Sequence, residues 1–231
     1  ISSNRRRRHM DSCSADGKHI PAVPALSEHM PTILLIRHGE TDWNRSGRIM
    51  GIRPVPLNQN GLTQSARLAL QLTALPAPAL YSSPVVRARQ TADILASTLH
   101  VSVIEEPGLS EIGVGEWEGR HWNEFDGDPA RVNFYRLPQE ARPPGGETLG
   151  EVQQRAIAAV KRALGRMKAG TAVLVTHADV IRTIVAHYLE TDLQTMRHMQ
   201  IGHASVTALE ITGSSGTLLC LNSLPDLGWL K

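Results

Sequence analysis

Two histidines and two arginines stand where an α/β fold would gather them. His38 follows Arg37 at the exit of a short apolar run, Thr32–Ile36, and leads into Gly39-Glu40. His177 follows Thr176 at the exit of a second such run, Thr171–Val175, and leads into Ala178. Arg87 falls in the first turn of a helix after the run Ala79–Ser82, where Ser83-Pro84 reads as an N-cap and a proline at the first helical position. In an open parallel sheet, ligands bind beyond the carboxyl ends of the strands, so these four side chains are expected in one small volume.

The chemistry of that set is phosphoryl transfer. Two guanidiniums can hold a dianionic phosphate by charge-assisted, often bidentate contacts. The same charges disfavour protonation of a nearby imidazole, which keeps a lone pair with which to attack phosphorus. A second imidazole, as cation or N–H donor, can stabilise the charge that builds in the transition state. The leaving alkoxide then needs a proton. Glu111, in Leu109-Ser110-Glu111 after a third strand, is the best-placed carboxyl to supply it. His38-x-Glu40 also has metal-ligand residue types, but Arg37 beside it is a poor neighbour for a cation, so neither a metal nor a cofactor is expected.

The elements that must position these residues follow from pattern. Apolar runs at Thr32–Ile36, Ala79–Ser82, Val101–Ile104 and Thr171–Val175 read as buried strands. Asn60-Gly61 opens a helical stretch in which Leu62, Ala66, Ala69 and Leu70 share a face. Ala88, Thr91, Ala92, Leu95 and Leu99 form the inward stripe of the next helix. Thr148-x-x-Glu151 is a capping box before a long helix with Val152, Ala156, Ala159, Val160 and Ala163 inward. A helix over Ile181–Leu189 follows, and Val206–Ile211 with Thr217–Leu221 read as a closing pair of strands. Residues 107–147 are weakly periodic and are expected to lie over the site as a long loop with short helices. Alternating strands and helices imply an α/β sandwich with a mostly parallel sheet.

Residues 1–31, with Arg5–Arg8 ahead of Met10, read as a tag remnant and a flexible arm, leaving 32–231 as one domain. That arm carries five Lys/Arg and three Asp/Glu, the whole of the net +2, and the remainder has 19 of each sign. The basic balance therefore argues for no nucleic-acid partner. Apolar runs of only a few residues argue for no membrane span. Cys13 and Cys220 form neither a disulfide framework nor a metal cluster, and with no signal peptide in view a cytoplasmic location is expected.

At these positions the chain resembles the histidine phosphatase superfamily, which includes the cofactor-dependent phosphoglycerate mutases. Leu35-Ile36-Arg37-His38-Gly39-Glu40-Thr41-Asp42-Trp43-Asn44 is similar to the family's Arg-His-Gly signature. Tyr81-Ser82-Ser83-Pro84 through Arg87-Ala88 resembles the segment bearing its second arginine. Leu109-x-Glu111 followed by Gly115-Glu116-Trp117-Glu118-Gly119 looks like its acid-bearing loop. Pro144-Gly145-Gly146-Glu147 and Val175-Thr176-His177 match two further segments, so the resemblance spans roughly residues 32–211.

The resemblance implies a phosphoglycerate mutase-like three-layer sandwich, its central sheet flanked by helices. It makes His38 the phosphorylated residue and Glu111 the proton donor. Arg37, Asn44, Arg87, His177 and Ala178 become the phosphate-binding set. The chain departs from the family pattern at Asp179, Pro54 and His203, which bears on substrate rather than on chemistry. A mutase would carry a Tyr and basic residues soon after the acid. Here Ile112-Gly113-Val114-Gly115 follows, and the last residues, Asp226–Lys231, offer little lid. The implied function is a phosphomonoesterase acting on a small phosphorylated metabolite, with a mutase and a non-catalytic protein-binding module as alternatives. A homodimer is compatible with this reading. Arg120, Trp122 and Arg142, in the covering region, are the candidate specificity residues. Trp117 fits either that role or the core.

Overall fold

The computed structural model describes residues 30–76, 78–167 and 170–224. The expected arm, apart from Met30 and Pro31, and the terminal residues Asp226–Lys231 lie outside the described residues. In chain order the elements are β1 (Thr32–Arg37), α1 (Asp42–Ser46), α2 (Gln59–Gln71), β2 (Ala79–Ser82), α3 (Val86–Leu99) and β3 (Val103–Glu105). Then come α4 (Pro129–Arg136), α5 (Leu149–Gly165), β4 (Thr171–Thr176), α6 (Ala178–Tyr188), β5 (Val206–Thr212) and β6 (Ser215–Ser223).

The strands form a single sheet in the order β3-β2-β4-β1-β5-β6. β3, β2, β4 and β1 run parallel, β5 returns antiparallel to β1, and β6 is antiparallel to β5. The apolar runs are continuous because the parallel strands are covered on both faces. Along β1 the side chains alternate between the two helical layers. Ile33 and Leu35 enter one core with Val152, Ala156 and Val160 of α5 and Ile181 and Ile184 of α6. Leu34 and Ile36 enter the other with Leu68 of α2 and Ala88, Ala92 and Leu95 of α3. The result is the three-layer sandwich that the resemblance implied, with the mostly parallel sheet that the pattern implied.

The capping box that opens α5 is present: Thr148 Oγ1 accepts from Glu151 N–H, and Glu151 accepts from Thr148 N–H. Such a cap contributes about 1 kcal/mol to helix stability.

Other local expectations fail, each for a tertiary reason. α2 does not bury Leu62, Ala66 and Leu70. Leu70 is 68% exposed, and Gly61, Ser65, Leu68 and Ala69 face inward instead. The helix is turned to that face because Gly61 packs directly on the backbone of Glu40, where a Cβ would collide. α3 starts at Val86 rather than at Pro84, and its N-cap, Val85, has no side-chain cap. α6 begins directly after His177, three residues earlier than expected, and β3 starts at Val103 rather than Val101. The 107–147 region holds short 3-10 turns and α4, and its Trp117, Phe125 and Phe134 are buried against the core. No helix among the described residues is long and apolar enough to cross a membrane.

Candidate active site

β1 and β4 lie side by side with Arg37 opposite Thr176, so the next residues, His38 and His177, leave the sheet together. Their ring centroids are 5.2 Å apart. The backbone of the loop after β1 is held by side chains from two helices. Gly39 N–H donates to Thr91 Oγ1 of α3 at 3.0 Å, and Glu40 N–H donates to Gln64 Oε1 of α2 at 2.9 Å. A side chain at Gly39 would strike the backbone of Gly61, which is why the turn beside the nucleophile candidate requires glycine.

His38 is 1% exposed, and its hydrogen bonds assign its tautomer. Nδ1 donates to the Gly39 carbonyl at 2.7 Å, and Nε2 accepts from Arg87 Nε–H at 3.1 Å. Burial first, then the guanidiniums of Arg87 and Arg37, hold the imidazole well below its ordinary range. His38 is therefore neutral, with the Nε2 lone pair directed at the arginine that would grip a phosphate.

The second histidine has a hydroxyl as its hydrogen-bond partner. Ser83 Oγ accepts from Val85 N–H at 3.2 Å and lies 2.9 Å from His177 Nε2. In the tautomer in which this hydroxyl donates to Nε2, the ring proton is on Nδ1. That atom is buried without a hydrogen-bond partner and lies 3.8 Å from Glu111 Oε2. Burial, followed by Arg87 and His38, holds His177 well below its ordinary range as well. A neutral ring in that tautomer is suited to the N–H donor role among the two expected.

The arginines are fixed by carbonyls rather than by carboxylates. Arg87 Nη1 donates to Arg53 O at 3.1 Å and Nη2 to Gly51 O at 2.8 Å. Burial draws its pKa down to about 10, which leaves it charged at neutral pH. Arg37 Nη1 donates to Ile201 O at 2.7 Å, while its Nε is buried without a partner. Two buried donors, Arg37 Nε and His177 Nδ1, thus await an acceptor, and buried N–H groups without partners are rare.

Glu111 and Arg87 line a cavity of ≈ 280 Å³ together with Arg37, Asn44, Trp122 and Ala178. Burial foremost, then the Asp179 carboxylate, raises Glu111 to about 7 against the opposing pull of Arg87 and Arg37. Asn44 caps α1 through Oδ1, which accepts from Thr41 N–H and Oγ–H.

The histidine phosphatase superfamily (branch 1) model matches residues 33–224. The chain belongs to the histidine phosphatase superfamily. It is 36% identical over 164 residues to a metal-independent phosphoserine phosphatase of Arabidopsis thaliana, 69% of each chain being covered. It is 30% identical to a 2,3-bisphosphoglycerate-dependent phosphoglycerate mutase of Thermoplasma acidophilum, covering 84% of this chain and 94% of that one. Among solved structures, Bacillus stearothermophilus YhfR superposes with a TM-score of 0.78 at 33% identity, covering 84% and 97% of the two chains. The chain is a phosphoric monoester hydrolase of this superfamily.

Around the cavity, the arrangement differs from what the sequence suggested. Arg120 and Arg142 are not among the residues lining the cavity. Arg120 pairs with Glu124 and lies over Phe125, and Arg142 pairs with Glu151 at the start of α5. Arg48, Arg182 and Tyr135 line the cavity instead. Asp179 pairs with Arg182 Nη1 at 2.8 Å, and Arg182 Nε donates to Met199 O at 2.8 Å. His203 stands beside the nucleophile candidate, its ring centroid 6.1 Å from that of His38. Pro54 follows Arg53, whose carbonyl anchors Arg87 and whose side chain pairs with Glu118 at 2.9 Å. Among the described residues no group of three or more His, Cys, Asp or Glu side chains is placed to hold a metal ion.

Proposed function

We propose that the protein hydrolyses small phosphomonoesters through a phosphohistidine formed on His38 Nε2. The observation that carries this reading is a neutral, buried imidazole hydrogen-bonded to Arg87, which lines the cavity together with Arg37 and Glu111. The phosphate would sit among Arg37, Arg87 and His177; Arg37, Arg87, Asn44 and Ala178 line the cavity, and the His177 ring lies 5.2 Å from that of His38. Nε2 attacks phosphorus while Arg87 Nε–H turns from Nε2 to a phosphate oxygen. Glu111 gives its proton to the leaving alkoxide, then takes one from the water that attacks the phosphohistidine, so both steps use the same carboxyl. Positive charge for the transition state comes from the side chains already present.

Phosphate release from an aryl phosphate and from 3-phosphoglycerate, with assay for the 2-isomer, tests the reading. Release without isomerisation is expected, and efficient isomerisation would favour the mutase. Activity should persist in EDTA after exhaustive removal of divalent ions. Loss in chelator, restored by one metal, would overturn the scheme.

Selectivity follows from the charge on the alcohol side of the cavity. Asp179 and Arg182 neutralise each other, whereas Arg48 is exposed and has no carboxylate partner among the described residues. Its guanidinium lies over Trp43, 5.5 Å from the ring centroid. Arg48 is therefore suited to an anionic group on the leaving alcohol, as phosphoserine would present. Arg48→Ala should lower kcat/KM for such esters by about tenfold or more, the scale of a charge-assisted hydrogen bond. Neutral aryl phosphates should be little affected, and an equal loss for both kinds would reassign Arg48 to the fold.

A further inference from the structure

We propose that Arg155, working with Glu147, is the positioning residue for the proton donor. It sits on α5, behind the loop that carries Glu111, and does not line the cavity. Its guanidinium gathers three backbone carbonyls of that loop. Nη1 donates to Gly108 O at 3.0 Å and to Ser110 O at 2.7 Å, and Nη2 donates to Glu111 O at 3.0 Å. The remaining contacts go to Glu147, with Nε on Oε1 at 2.9 Å and Nη2 on Oε2 at 3.0 Å. Glu147 Oε2 also accepts from Gly113 N–H at 2.8 Å. The backbone is thus gripped on both sides of Glu111, by arginine at 108, 110 and 111 and by its carboxylate partner at 113.

A third tie locates this clamp relative to the phosphate. Thr176 Oγ1 donates to Leu109 O at 2.6 Å, and Thr176 directly precedes His177. The acid's loop is therefore strung between α5 and the strand that delivers the second histidine. Of these two anchors only Arg155 reaches the carbonyl of Glu111 itself. A planar fork of five N–H groups can satisfy this many acceptors at fixed angles, and a lysine ammonium cannot. Proton transfer depends on the carboxyl standing within hydrogen-bond reach of the leaving oxygen, so a shift of its backbone weakens that step. Attack by His38 draws on Arg37, Arg87 and His177, none of which is hydrogen-bonded to Arg155, and should continue.

This inference rests on Glu111 being the proton donor, and the test separates the two. The wild type, Glu111→Gln, Arg155→Met, Arg155→Lys and Glu147→Gln are compared on phosphomonoesters whose leaving groups span acidic phenols to alkyl alcohols. Circular dichroism and thermal midpoints confirm folding. Arg155→Met should lose about tenfold to a hundredfold in kcat/KM on alkyl esters, the scale of a misplaced catalytic group, while p-nitrophenyl phosphate is nearly spared. Its leaving-group dependence should steepen toward that of Glu111→Gln, with Arg155→Lys and Glu147→Gln intermediate. If Arg155→Met does not fold, the two milder variants decide the matter by the same slope. A uniform loss along the series, or an unchanged slope, in folded variants would overturn the positioning role while a steep Glu111→Gln slope left the donor assignment standing. A flat Glu111→Gln slope would overturn both.

Discussion

His38→Ala should abolish turnover, with a loss of about 10⁴-fold or more, the scale seen when a covalent nucleophile is removed. The expectation rests on directional detail. The Gly39 carbonyl fixes the proton on Nδ1, and the lone pair left on Nε2 already meets an Arg87 N–H. Arg87 and Arg37 suppress protonation of the ring, and in the proposed mechanism they would also neutralise the group being transferred. Acid keeps the imidazole cationic only far below neutrality, so its nucleophilic form is fully present at physiological pH. Quenching turnover of a ³²P-labelled substrate should trap a phosphoramidate, which survives alkali and is lost in acid. His38→Ala should remove both the label and the activity. A label with the stability of an acyl phosphate, or substantial activity in His38→Ala, would refute the mechanism.

Glu111→Gln is the second large effect, and here the leaving group decides its size. An alkyl alkoxide needs its proton as the P–O bond breaks, so alkyl phosphates should slow by about 10²-fold or more. Phenolates with acidic conjugate acids depart without help and should suffer much less. The wild-type pH profile carries the same information. Burial and the Asp179 carboxylate raise Glu111 to about 7, so the donor form is abundant below that pH and is lost as pH rises through it. Activity on alkyl esters of the wild type should therefore fall on the alkaline side of about 7. Asp179→Asn should move that limb to lower pH, because it removes a charge that favours the protonated carboxyl. Equal losses on alkyl and aryl esters in Glu111→Gln would mean that the residue only shapes the cavity.

The central part of the site was legible because strand exits are marked by local signals. An apolar run that ends in Arg37-His38, or in Thr176-His177, announces both a strand and the residues beyond its carboxyl end. The topology then does the rest by making β1 and β4 neighbours. The capping box at Thr148 and the stripe of α5 were equally plain, since both are set within a few residues. What escaped was set across the fold. The inward face of α2 is dictated by contact between Gly61 and the backbone at Glu40, and no periodicity in the helix encodes it. Ser83 was read as a helix cap, yet its hydroxyl serves His177, 94 positions away. Its placement directly after the Ala79–Ser82 strand, at the same edge as the histidines, was the available clue. Arg48 and Arg182 could not be told from Arg120 and Arg142 by type or spacing. Each pair lies in polar surroundings, and only the cavity wall separates them.

The strand order has a further consequence, in time rather than in space. β1 is the first strand among the described residues, yet its two neighbours in the sheet are β4 and β5, which come late. Parallel pairing across so long a connection must close a large loop before it gains any contact, which makes it a slow event in folding. During synthesis, Arg37 and His38 would emerge well ahead of the strand that brings His177. Through that interval β1, with Ile33 to Ile36 apolar toward both layers, has neither partner to cover it. The first appearance of enzymatic activity on refolding thus marks the docking of β4 beside β1. A chain arrested before β4 would hold His38 without His177 beside it.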